Sequence, residues 1–132
     1  MTVDDLIADF ELLDDWEERY RYVIELGRDL PPMPDALKSP ATKVSGCASQ
    51  VWIYSTKVKD RLLLQGDSDA LIVKGLIAIA FVIFAPLSLL EIRNVDAQAI
   101  FAKLGLRDHL TPQRSNGLAS MVARIKADAV AE

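Results

Sequence analysis

Cysteine is nearly absent from these 132 residues: Cys47 is the only one, and His109 is the only histidine. A single thiol excludes an intramolecular disulfide and a CxxC pair, so the chain is expected to work in a reducing compartment, the cytoplasm. One histidine leaves little from which to build a metal centre or a Cys–His dyad, and GxGxxG, P-loop and HExxH patterns are missing as well. Positive charge is in deficit, 15 Lys and Arg against 19 Asp and Glu for a net −4, which argues against a general nucleic-acid binder. The longest uncharged run, Gly75 to Leu90, is 16 residues and is interrupted by Pro86. A spanning helix needs about 20 apolar residues, so the run reads as a buried central helix and no membrane association is expected. The acidic start, Met1-Thr2-Val3-Asp4-Asp5, lacks the basic flank and apolar core of a signal peptide.

What is present suits one compact domain over residues 1–132, with 51% hydrophobic residues to fill a core. Charge is unevenly spread. Residues 1–20 carry eight acids against Arg19 alone, and residues 101–132 carry five bases against three acids. These segments read either as solvated helix faces or as a docking patch.

The periodicities alternate between helix and strand. Thr2 and Asp5 form a capping box for a first helix whose apolar face is Val3, Leu6, Ile7 and Phe10. Asp14 or Asp15 restarts the pattern for Trp16, Tyr20, Val23 and Ile24, with Gly27 expected as a left-handed C-terminal cap. Pro31, Pro32, Pro34 and Pro40 then hold the chain as a loop up to Ser45. Val51 to Val58 and Arg61 to Gln65 read as an antiparallel hairpin across Lys59-Asp60, and a strand ending near Val44 is expected as a third. Gly66 to Asp69 should end the sheet, with Asp67 or Ser68 capping a helix from Asp69 to about Ala85. Pro86 is placed in the first turn of a short helix, a further helix spans Ala97 to Leu104 and closes at Gly105, and Thr111-Pro112 starts the last. Arg114, Ser115, Asn116 and Gly117 sit in its opening turns, and arginine, asparagine and glycine are poor choices there, a local conflict that points to a functional constraint.

Two readings of Cys47 stand side by side. A lone cysteine is commonly an inert, buried small hydrophobe. Its neighbours here are small or polar, Gly46 before it and Ala48, Ser49 and Gln50 after it, at the end of a long loop, a setting that lets another molecule's reactive atom approach. No base adjoins it except Lys43, and nothing in the sequence signals an oxyanion hole. The thiol is better suited to receiving a group activated elsewhere than to activating its own substrate.

Gly46-Cys47-Ala48-Ser49-Gln50-Val51-Trp52-Ile53 resembles the GCxSQVW signature of the SufE family of sulfur acceptors. Leu64-Gln65-Gly66-Asp67-Ser68-Asp69-Ala70 resembles its second block and His109-Leu110-Thr111-Pro112-Gln113-Arg114-Ser115-Asn116-Gly117-Leu118 its third. The resemblance implies an α+β, SufE/IscU-like fold with a small three-stranded antiparallel sheet packed on one face by helices. It further implies that Cys47 accepts persulfide sulfur from a pyridoxal-phosphate (PLP)-dependent, SufS-like cysteine desulfurase, stimulates that enzyme, and passes sulfur to a SufBCD-like iron–sulfur scaffold. The chain would then be an accessory acceptor rather than a stand-alone enzyme, a monomer or weak dimer, holding only a transient persulfide while the PLP stays on the partner. Gly46, Ser49 and Gln50 would shape the persulfide loop, which swings out on docking; Asp69 would hold that loop and Arg114 would contact the desulfurase. Ala48 departs from the glutamine or glutamate of many relatives. A one-cysteine thiol peroxidase or redox sensor and a non-catalytic adaptor are the competing functions.

Overall fold

In the computed structural model, which describes residues 1–131, seven helices surround one two-stranded hairpin. Helix α1 (Val3–Leu12) begins at the expected capping box: Asp5 donates its amide to Thr2 Oγ1 and returns its carboxylate to the Thr2 amide. Helix α2 (Trp16–Arg28) is capped by Asp15, which accepts from the Glu18 amide at 2.8 Å. A long connection with one 3-10 turn, Asp35–Leu37, leads to strands β1 (Val51–Val58) and β2 (Arg61–Ser68). These pair antiparallel from Val51↔Ser68 to Val58↔Arg61 around Lys59-Asp60. Helix α3 (Leu71–Phe84) follows, then α4 (Leu89–Asn94), α5 (Ala97–Lys103), α6 (Leu106–His109) and α7 (Pro112–Val130). Ser88 with Glu91 makes a second capping box, and Thr111 caps α7 with Pro112 in its first turn.

Four expectations are corrected. The sheet has two strands, not three. Residues 42–44 reach β1 through only two bonds, Val44 N–H to Val51 O and Ile53 N–H to Thr42 O, both 2.8 Å. A turn closed by Ser39 and Thr42 ends the extended stretch on one side, and Gly46 at φ +86° bends it away on the other. Strand β2 runs on to Ser68, so Asp67 and Ser68 belong to the sheet; α3 is preceded by Ala70 with no side-chain cap, and Asp69 stays outside it. Pro86 lies ahead of α4, whose cap is Ser88.

The fourth concerns Gly27, which is an interior residue of α2 rather than its left-handed cap. A Cβ on Gly27 would stand 2.6 Å from the Gly75 amide nitrogen, and one on Gly75 would stand 2.1 Å from the Val23 carbonyl oxygen. Helices α2 and α3 therefore meet backbone to backbone, closer than any side chain would permit. Ten of the 14 residues of α3 are buried, because α2, β2 and α7 cover it on different sides. Its all-round apolarity is thus explained by its central position, and no described helix is long and apolar enough to cross a membrane.

A buried ion cluster ties the long connection to this core. The Asp67 side chain, 12% exposed, takes Lys38 at 3.0 Å and Lys74 at 3.2 Å, and accepts the Ser68 amide at 2.8 Å. Lys38 also lies 5.2 Å from the centroid of the Trp52 ring. Burial alone would raise the Asp67 carboxyl, but Lys38, the Ser68 amide and Lys74 together outweigh it and hold the group below the usual carboxylate value.

Two measurements test this frame. Gly75→Ala is expected to lower stability in chemical denaturation by about 3 kcal/mol, the upper range of overpacking, since backbone rather than a flexible side chain must move. Asp67→Asn is expected to cost about 2 kcal/mol at neutral pH. A lowered native pKa adds stability above the unfolded value of about 3.9 and loses it as pH falls through the native value. The gap between Asp67→Asn and the unaltered chain should therefore close only below about pH 4; a gap independent of pH there would contradict the ion cluster.

Candidate functional site

Cys47 sits half-buried between the end of the bridged stem at Val44 and the start of β1, facing the second turn of α7. Its Sγ donates to the Gly117 carbonyl at 3.7 Å, a weak bond suited to a protonated thiol. Gly46 makes the turn that aims it there. At φ +86° a side chain is disfavoured, and a Cβ would also come within 2.6 Å of Ser120 Oγ. The loop thus needs glycine for both conformation and space.

Around the thiol is a cavity of about 20 Å³, enough for one water-sized guest. Val73 and Leu76 of α3 and Met121 of α7 line its apolar side; Ala48, Ser49, Gln113 and Arg114 also border it. Gly117 closes the wall, where a Cβ would stand 3.4 Å from Sγ. Burial raises the Cys47 pKa above that of an ordinary thiol, and no charged group acts to lower it. The resting site therefore stores a protonated, weakly nucleophilic thiol. A peroxidase or redox sensor needs the opposite, an exposed thiolate of low pKa.

The other predicted residues take different positions. Asp69 is exposed and accepts the Gln50 backbone amide at 3.0 Å, tying the downstream end of the loop to the β2–α3 junction. Gln50 meets Asp69 through its main chain, and Ser49 is half-buried at the cavity. Arg114 shares the cavity wall with Cys47, but its guanidinium donates to the Tyr20 hydroxyl and lies 5.7 Å from that ring's centroid. It joins α7 to α2 at the edge of the site. His109 stacks on Trp16 with centroids 4.1 Å apart, its Nδ1 2.9 Å from the Gly105 carbonyl oxygen, in a structural cluster formed by α2 and α6. Among the described residues no group of three or more His, Cys, Asp or Glu is arranged to hold a metal.

Two participants, Tyr20 and Ser120, are not legible in the sequence. Tyr20 reads as core from its spacing, although it is the partner of Arg114. Ser120, half-buried on α7, carries no signal at all. Gly117 does carry one, a glycine in the opening turns of a helix, and the thiol supplies its reason.

An α+β domain holding one guarded thiol at a loop–helix junction is the class this geometry defines. The SufE family model, described as an Fe-S metabolism associated domain, matches residues 4–129. The chain is 50% identical over 132 residues to an uncharacterized SufE-like protein of Rhizobium meliloti (strain 1021), covering 97% of this chain and 94% of that one. It is 48% identical to an uncharacterized SufE-like protein of Rhizobium etli, covering 97% and 89% respectively. A solution structure of a hypothetical protein from Thermus thermophilus shares the fold, with TM-score 0.77 at 19% identity over 98% of this chain and 96% of that one. The chain belongs to the SufE family, a family associated with iron–sulfur metabolism.

The raised thiol pKa has a measurable signature. Alkylation of Cys47 by iodoacetamide should keep accelerating with pH beyond the point at which a free cysteine, with its pKa near about 8.5, levels off. A plateau at or below the free-cysteine value would contradict the desolvated thiol.

Proposed function

We propose that Cys47 is a sulfur acceptor for a PLP-dependent, SufS-like cysteine desulfurase and relays the sulfur to a SufBCD-like iron–sulfur assembly scaffold. The observation that carries this reading is the enclosure of the chain's only thiol, protonated and without a base, in a cavity of about 20 Å³ within a SufE-family domain. Such a thiol reacts slowly with adventitious oxidants while at rest. It becomes a nucleophile once it leaves the apolar wall and its pKa relaxes toward that of a free cysteine.

The chemistry is thiol exchange. The Cys47 thiolate attacks the outer sulfur of the donor's persulfide, a new S–S bond forms as the donor's S–S bond breaks, and the donor cysteine leaves as thiolate. The number of S–S bonds is unchanged, and no external oxidant or reductant is consumed. The proton lost by Cys47 is available to the departing thiolate. This chain's residues need only present, orient and then shield one sulfur: Gly46 provides the turn, Ser49 and Gln50 the loop, Asp69 its downstream anchor, and Arg114 a charged edge for the partner to meet. PLP chemistry resides in the desulfurase, so the chain acts as an accessory protein, as a monomer or weak dimer in the cytoplasm.

Incubation with a cysteine desulfurase and free cysteine should add one sulfur atom, about 32 Da, to the intact protein, removable by reductant and located on Cys47. Cys47→Ser should take up none and should fail to stimulate the desulfurase. Full stimulation by that variant would instead assign the chain to a non-catalytic adaptor role, and an unlabelled Cys47 in the unaltered chain would overturn the acceptor reading.

A further inference from the structure

The two-bond stem that leads into the Cys47 loop is too short to stand as a strand by itself. Its alternate carbonyls show what else holds it. The Thr42 carbonyl serves β1, accepting from Ile53, while those on either side, Ala41 and Lys43, turn to Arg124 of α7. Arg124 Nη2 donates to the Ala41 oxygen at 2.7 Å, and Nη1 is 3.5 Å from the Lys43 oxygen. Its Nε donates to Asp128 at 3.1 and 3.3 Å, and Asp128 in turn accepts the Ser55 hydroxyl of β1 at 2.7 Å. Arg124 and Asp128 are only 25% and 21% exposed. One planar cation thus replaces the missing next strand, and a carboxylate fixed to β1 holds it in plane.

We propose that Arg124, oriented by Asp128 and Ser55, is a positioning residue that fixes the upstream hinge of the Cys47 loop and governs how often the thiol is presented. The proposal deepens, and rests on, the reading of Cys47 as a presented acceptor. Asp69 holds the downstream end through the Gln50 amide. Between the two anchors lie Ser45 to Gln50, with Gly46 at positive φ next to the hinge. With both anchors in place, movement is confined to this short segment and Cys47 returns to the same cavity. Without Arg124 the stem carbonyls at 41 and 43 lose their donors, the two backbone bonds to β1 open more often, and the loop becomes longer and looser.

The test uses the full chain and needs no desulfurase: iodoacetamide labelling of Cys47 together with amide hydrogen exchange at Val44 and Ile53. Arg124→Met should label about tenfold faster, the effect of losing charge-assisted bonds to two carbonyls, with the Val44 and Ile53 amides exchanging faster by a similar factor and those of α3 unchanged. Asp128→Asn, which keeps the arginine but removes the anion that orients it, should give a smaller acceleration of the same two readouts, and Arg124→Lys should fall between the unaltered chain and Arg124→Met. Equal acceleration of the α3 amides would mean general loosening and would overturn the assignment, as would labelling at the unaltered rate in both Arg124→Met and Asp128→Asn. Accelerated labelling combined with failed sulfur loading would overturn the acceptor reading while leaving the hinge in place; normal loading with unchanged labelling would overturn the hinge alone.

Discussion

The close approach of α2 and α3 at Gly27 and Gly75 is the contact on which the remaining architecture depends. Because no side chain separates the two backbones there, α3 sinks into the centre of the molecule and presents its other sides to β2 and α7. The hairpin lies on one of those sides and α7 on another, and the Cys47 loop spans the seam between them. Val73 and Leu76, on the same helix as Gly75, form the apolar wall behind the thiol. The packing of α3 at Gly75 therefore sets the position of the apolar wall behind Cys47.

The loop itself is secured from outside rather than by its own structure. Asp67 gathers Lys38 and Lys74, Asp69 takes the Gln50 amide, Arg124 takes two stem carbonyls, and Gly117 receives the thiol. Three of these four partners come from the second and third motif blocks, which lie far from Cys47 in sequence. Their separate positions in the chain make sense once they are seen as supports for one short segment.

Local signals are legible wherever a residue's role is settled within one turn of itself. The Thr2–Asp5 capping box, the Lys59-Asp60 hairpin turn and the Thr111-Pro112 helix start follow from side-chain chemistry over three or four residues. Residues whose role depends on a distant partner are misread. Gly27 looks like a helix end because glycine commonly ends helices, and only the presence of α3 opposite shows that it is there for space. A strand ending near Val44 is expected because two strands alone make a marginal sheet, yet the next strand is replaced by one arginine, 81 residues beyond Lys43. Cys47 is legible as the candidate centre through its motif, whereas the burial that raises its pKa is encoded by no linear pattern.

The bond from Cys47 to the Gly117 carbonyl also carries a kinetic meaning. Neither it nor the Asp69–Gln50 contact belongs to a helix ladder, and Cys47 packs against the edge of the buried apolar cluster. Leaving the cavity with both loop anchors kept then costs on the order of 2–3 kcal/mol, one weak bond together with the thiol's apolar contacts. An outward population on the order of 1% follows, renewed on the nanosecond-to-microsecond timescale of loops. The thiol is thus concealed most of the time yet available many times during any encounter lasting a millisecond, so concealment lowers its standing reactivity without making loop opening the slow step of the exchange proposed above.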